Sequence, residues 1–329
     1  MDRQLSLEVV RITEQAALKS ARLVGMGDKE GADQAAVDGM HEQFARTSVT
    51  GTVVIGEGEI DEAPMLYIGE KVGRGGEEVD IAVDPVEGTN LVAKGQTGAI
   101  AVLAIAPKGC LLHAPDMYMQ KICVGPRAKG KIDICATVTE NLKNVAEAMN
   151  REVSDLTVVV LDRERHEKII REIRESGARV RLITDGDVVP SIDCAIQGSG
   201  IHMVIGSGGA PEGVLSAVGL KCLGGDMQAR LLPHTDQELH RLHEMGIDDP
   251  NKILTLDDLV KGDDCIFAET AITDCTMLRG VRFFGGGART STLVLRYKTG
   301  TVRFVDTVHR FGEDLSLIHI SEPTRRVVI

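Results

Sequence analysis

The run Val79-Asp80-Ile81-Ala82-Val83 passes without a spacer into Asp84-Pro85-Val86-Glu87-Gly88-Thr89, and few folds can use such a junction. β-Branched and aliphatic residues closed by a proline read as a buried strand that stops at Pro85. Beyond it, two carboxylates three residues apart can point at one hard cation, Gly88 lets the backbone approach a phosphate oxygen, and Thr89 adds a hydroxyl. Standing alone, such an acidic pair is ordinarily a solvated turn or a helix cap. A second cluster, Gly56-Glu57-Gly58-Glu59-Ile60-Asp61-Glu62, also follows a strand, and Asp33 lies in a Lys29-to-Asp33 turn ahead of a helix. Carboxylates gathered in this way raise one another's pKa, and divalent cations held between them remove that cost. Mg²⁺ and Mn²⁺, which prefer oxygen ligands and share them with substrate phosphates, suit the set.

The rest of the chain supplies a core large enough to hold such a site. With 329 residues, 43% hydrophobic and 26% charged, the composition is globular, and at this length a chain commonly divides in two. A change of pattern near residue 150 sets the expected division: residues 1–150 carry the metal-binding residues and 151–315 form an α/β substrate-binding domain. Residues 316–329 fit no element and are expected to be a disordered or non-native tail. A net charge of −12 opposes binding to nucleic acid, and no Trp, 3 Tyr and 6 Phe leave few platforms for stacking bases. The 7 cysteines are scattered without a Cys-x-x-Cys pair, so they read as reduced thiols rather than a disulfide framework or zinc site. No signal-like segment opens the sequence and no apolar run approaches the roughly 20 residues that span a bilayer, so a cytoplasmic location is expected.

Periodicity places the elements. Leu5, Val9, Ile12, Ala16 and Leu23 make one apolar face of an opening helix that Gly25 and Gly27 end, and Val37, Met40 and Phe44 repeat the pattern in a second. Thr52 to Ile55, Val79 to Val83 and Ala99 to Ala106 read as strands. Thr157 to Leu161, a helix over His166 to Ser176, and Val180 to Ile183 read as one βαβ unit, and Val302 to Val308 as a late strand. His240 and His243 fall on a polar helix face and read as solvated, while Gly285 to Gly287 mark a hairpin or bend.

Several longer motifs then carry a resemblance. The chain resembles the class II fructose-1,6-bisphosphatases through V-I-G-E-G-E-I-D-E-A-P-M-L-Y-I-G-E at 54–70, D-I-A-V-D-P-V-E-G-T at 80–89 and A-P-D-M-Y-M at 114–119. D-G-D at 185–187 and G-G-A-P-E-G at 208–213 extend the likeness, which runs from residue 1 to about 308. The core D-P-x-x-G-T alone is shared with the wider inositol-monophosphatase-like group, whereas the motif at 54–70 separates the two.

The resemblance implies an inositol-monophosphatase-like α/β fold of alternating helix and sheet layers and a homodimer or homotetramer. It implies Mn²⁺ or Mg²⁺ bound by Asp33, Glu57, Asp84, Glu87 and Glu212, with Thr89, Asp33 and Glu57 catalytic. A sugar bisphosphate would be held by Glu87, Gly88, Thr89, Tyr118, Arg163, Glu164, Arg165, Asp185, Gly186, Asp187 and Gly209. At 163 the family often has Lys, and Arg forks across phosphate oxygens where Lys acts as a point charge. The expected reaction is hydrolysis of the 1-phosphate of fructose 1,6-bisphosphate. D-R-x-R-H at 162–166 and G-V-R-F-F at 280–284 look closest to the branch that also takes sedoheptulose 1,7-bisphosphate. An inositol monophosphatase, or a sensor that binds sugar phosphates without turnover, are the alternatives.

Overall fold

The computed structural model describes residues 1–58, 65–114, 117–244, 247, 249 and 251–311. Glu59, Asp61 and Glu62 of the second acidic cluster, Pro115 and Asp116 of the third motif, and the expected tail at 316–329 lie outside the described residues.

In chain order the elements are α1 (Leu5–Ser20), α2 (Lys29–Phe44), β1 (Val49–Ile55), β2 (Lys71–Val72), β3 (Glu77–Glu87), α3 (Thr89–Lys94), β4 (Ile100–Pro107) and β5 (Tyr118–Val124). They continue with α4 (Val138–Met149), β6 (Thr157–Leu161), α5 (Glu167–Glu175), β7 (Arg179–Ile183), α6 (Val188–Asp193), β8 (Met203–Gly209), α7 (Ala210–Leu223) and β9 (Asp226–Leu232). The last are α8 (Asp236–Glu244), β10 (Leu254–Thr255), α9 (Leu256–Leu259), β11 (Ile266–Ala271), β12 (Arg282–Phe284), β13 (Gly287–Arg296) and β14 (Thr301–Arg310).

The strands form two mixed sheets. One has 8 strands in the order β12-β13-β11-β4-β3-β1-β2, with β14 on the other edge of β13; the second has 6, in the order β10-β9-β5-β8-β6-β7. Strand membership does not follow sequence halves: the first sheet draws on residues 49–107 and 266–310, the second on 118–255. Helices fill the spaces between and outside the sheets. The apolar faces of α1 and α2, with Val9, Ile12, Ala36 and Met40, cover one face of the first sheet. Ile192 of α6 and Val214, Leu215 and Val218 of α7 pack between the sheets, and Leu142 of α4 and Ile173 of α5 cover the far face of the second. The result is an alternation of helix and sheet layers, five deep, as the resemblance implied. No helix among the described residues is long and apolar enough to cross a membrane.

Local chemistry explains the boundaries. Asp28 caps α2 by accepting from Gly31 N at 2.8 Å, which puts Asp33 inside the helix instead of in the turn expected before it. The parallel pairing of β6 with β7 around α5 matches the βαβ reading. β3 does not stop at Pro85 but runs on to Glu87, because Pro85 falls in an irregularity between Asp84 and Glu87 and pairs with neither β1 nor β4. A proline without a ladder bond to lose is tolerated there.

Candidate active site

The irregularity at the end of β3 turns Asp84 and Glu87 toward the same space. Asp84 Oδ1 accepts from Val86 N at 3.0 Å, and Gly88, at φ 91°, takes the left-handed conformation that lets α3 begin immediately with Thr89. Thr89 Oγ1 lies 3.1 Å from Val86 O and 3.4 Å from Asp33 Oδ1 of α2. Glu57 follows β1, its N–H bonded to Leu66 O at 3.0 Å. Glu212 stands in the first turn of α7, whose N-terminal dipole favours negative charge. Asp84, Glu87 and Glu212 offer one oxygen each within 4.8 Å of one another.

Asp33, Glu57, Asp84, Glu87, Thr89, Asp185 and Glu212 all line one cavity of about 380 Å³. Burial, with mutual repulsion for three of them, raises Asp33, Glu57, Asp84 and Glu87. Burial pushes Asp33 up to about 6, against the Thr89 hydrogen bond, and burial with the charges of Asp33 and Glu212 pushes Glu57 to about 7. Glu87 reaches about 8 through burial and then the charges of Glu212 and Asp187, despite accepting from Val188 N at 3.2 Å. Asp84 rises well above the carboxylate range for the same reasons, with Glu87, Glu57 and Glu212 as its neighbours. An oxygen-only donor set this close, and this reluctant to ionise unaided, fits a hard divalent cation.

Of the residues expected to hold substrate, Glu87, Gly88, Thr89 and Asp185 line this cavity, and the others come from the strands and loops of the second sheet. Tyr118 opens β5 and is paired with Gly209 of β8; the Arg165 guanidinium lies 4.9 Å from the Tyr118 ring centre, and the His234 ring meets that tyrosine edge-on at 5.9 Å. Arg165 also donates to Ser207 Oγ at 3.1 Å and to Ser207 O at 2.9 Å. Arg163 donates to Thr184 O at 2.7 Å, and Glu164 is exposed. Asp185 accepts from Asn90 Nδ2 at 2.9 Å, while Gly186, at φ 72°, turns the chain so that the Asp187 carboxylate meets the buried Lys121 ammonium at 2.7 Å. A Cβ at Gly209 would collide with the Glu212 carboxylate.

Sequence reading gave no role of their own to four of these residues. Lys121 leaves a signal, the one cation in a mostly apolar strand, and His166, whose Nε2 accepts from Ser207 N at 2.9 Å, ends the quoted D-R-x-R-H. Ser207 and Asn90 leave none, because their partners are distant in sequence.

Known proteins align with almost the whole chain. The family model described as bacterial fructose-1,6-bisphosphatase, glpX-encoded, matches residues 3–309. A protein of Synechococcus named D-fructose 1,6-bisphosphatase class 2/sedoheptulose 1,7-bisphosphatase is 52% identical, over 94% of this chain and 96% of its own length. Proteins carrying the same name are 49% identical in Acaryochloris marina, over 94% and 97%, and 48% in Trichodesmium erythraeum, over 96% and 99%.

Proposed function

The chain belongs to the class II fructose-1,6-bisphosphatase family, and we propose from that premise that the acid-lined cavity hydrolyses the 1-phosphate of fructose 1,6-bisphosphate to give fructose 6-phosphate and phosphate. Sedoheptulose 1,7-bisphosphate is the second substrate of the proposal, on the strength of the names its relatives bear. The observation that carries the reading is the gathering of five carboxylates from α2, the end of β1, β3 and α7 around one threonine hydroxyl.

Asp33, Glu57, Asp84, Glu87 and Glu212 would hold Mg²⁺ or Mn²⁺. A divalent cation bound there would neutralise the clustered carboxylates and polarise the phosphoryl oxygens. Thr89 accepts a hydrogen bond from the attacking water while its own proton points at Asp33, whose carboxylate is placed to receive it. Arg165, braced by Ser207 and stacked on Tyr118, grips the distal phosphate, and Arg163 lies beside it on the same loop. Asp185 and the backbone at Gly209 face the sugar. The distal grip favours a bisphosphate over inositol monophosphate, which has no second phosphate to fill it.

The test is phosphate release from both bisphosphates on chelator-stripped protein with Mg²⁺ or Mn²⁺ restored. Metal-dependent release is expected, with the ratio of the two rates setting the preference. Binding of substrate with metal present but no release from either would put a sensor in place of the enzyme.

A further inference from the structure

Arg165 is exposed, and among the described residues its hydrogen bonds both go to Ser207 of β8, Nε to Oγ at 3.1 Å and Nη2 to the carbonyl oxygen at 2.9 Å. The direction of the guanidinium fork is therefore set by Ser207. Ser207 is held in turn by His166, the residue before α5: its N–H donates to Nε2 at 2.9 Å, and its Oγ lies 3.0 Å from the same nitrogen. The histidine is 1% exposed, and Gly206, where a Cβ would come within 3.1 Å of Cε1 and Nε2, leaves the space its ring fills.

The tautomer follows from the partners. Nδ1 lies 2.8 Å from Leu161 O, which can only accept, so Nδ1 carries the ring proton and Nε2 is bare. Bare Nε2 accepts from the Ser207 N–H and the Ser207 hydroxyl, whose lone pairs are left to receive Arg165 Nε–H. The guanidinium N–H groups not engaged by Ser207 can then fork across phosphate oxygens. Burial, with the charges of Arg165 and Arg163, holds the ring below its ordinary 6.5 against the Leu161 bond and Asp187, so near neutrality it is uncharged. Asp187 and Lys121, which line the small space beside the ring, are paired with each other. We propose that His166 is a positioning residue for the distal phosphate, acting through Ser207 to aim Arg165; this rests on the reading that Arg165 grips that phosphate. The buried ring does not reach substrate. It fixes in advance a long exposed side chain whose ordering would otherwise oppose binding.

The experiment is steady-state kinetics of the full chain, with Mg²⁺ or Mn²⁺ present, on fructose 1,6-bisphosphate and on fructose 1-phosphate, which has no distal phosphate. Arg165→Ala should raise KM for the bisphosphate by at least about tenfold, the scale of a charged hydrogen bond. His166→Leu, which fills the space but cannot accept, should raise it by at least about fivefold, each variant keeping kcat within about twofold. KM for fructose 1-phosphate should stay where it was. His166→Gln, whose amide oxygen can stand near the place of Nε2, should recover most of the affinity. Adding His166→Leu to Arg165→Ala should raise KM no further, because both act on one contact. If His166→Leu folds poorly, Ser207→Ala, which cuts the relay by removing only a hydroxyl, decides by the same split between KM and kcat. An unchanged KM in Arg165→Ala would overturn the distal grip, and this proposal with it. A raised KM in Arg165→Ala but not in His166→Leu would leave the grip standing and overturn the relay alone. Additive effects in the double variant, or equal losses on both substrates, would make His166 a support of the fold and overturn the proposal as well.

Discussion

Among the described residues Thr89 Oγ1 has two hydrogen-bond acceptors within reach, Val86 O and Asp33 Oδ1, and with its single proton given to one of them it is left to accept from water. Thr89→Ala removes that acceptor and should lower kcat by about 10²-fold with KM little changed, while Thr89→Ser should keep most of the activity. A loss confined to KM would move Thr89 from the chemistry to binding. The raised carboxylates give a second prediction. Glu87 goes from an ordinary value of 4.5 to about 8 on folding, so the folded chain keeps a proton that the unfolded chain has released. Its contribution to stability is therefore complete below about pH 4.5 and lost as pH rises through 8. Glu57, raised to about 7, acts in the same direction. The melting temperature of chelator-stripped protein should fall across that window, Mn²⁺ should restore it, and Glu87→Gln should flatten the slope. A melting temperature that rises across it in the stripped protein would contradict the crowding of these acids.

At the scale of elements, the site depends on how closely α7 follows β8. Gly209, at φ −65°, needs no special backbone freedom, so its value lies in the space it leaves for Glu212. Gly209→Ala should raise the Mn²⁺ concentration for half-maximal activity by at least about tenfold, in the range seen when groups that support a metal ligand are disturbed. Its denaturation midpoint should shift much less than that of Gly88→Ala, which strains a left-handed residue at φ 91°. Unchanged metal dependence would mean that Glu212 is not a ligand. How far such elements could be read in advance depended on their exposure. α1 and the β6-α5-β7 unit each show one face to solvent, so their periods are visible in the residues. α7 is buried between two sheets at every position from Gly213 to Lys221, and a helix apolar all round has no period to find. The carboxylates at strand ends were legible because burying them without cations is costly; the pairing of Lys121 with Asp187, or of Ser207 with Arg165, spans 66 and 42 residues and leaves no local trace.

For the whole molecule, the first sheet closes only when the end of the described chain returns to its beginning. β11 and β13 lie against α1, joined by Thr270 Oγ1 to Thr13 Oγ1 at 2.7 Å and Thr290 Oγ1 to Glu14 Oε1 at 3.1 Å. Nearby, Arg296 of β13 and Asp264 share two bonds at 3.0 and 3.2 Å, with both side chains at most 5% exposed, and Arg296 also donates to Asp2 O at 2.9 Å. Arg296 pulls Asp264 below the usual carboxylate range even against burial. Removing one partner of a buried pair strands the other charge, so Asp264→Ala should cost about 3–5 kcal/mol of stability. Because α6 and α7 pack against both sheets, that loss cannot stay in the first sheet. Urea denaturation followed by circular dichroism should show one transition moved to lower urea, with KM unchanged in the surviving folded fraction. Asp33, Glu57, Asp84 and Glu87 come from the elements of the first sheet and Glu212 and Arg165 from those of the second, so if they bind metal and substrate as proposed, Mn²⁺ and substrate together should move the variant's single transition back up. Two separated transitions, only one of them sensitive to Asp264, would show that the sheets fold as independent units and that the cavity between them contributes nothing to holding them together.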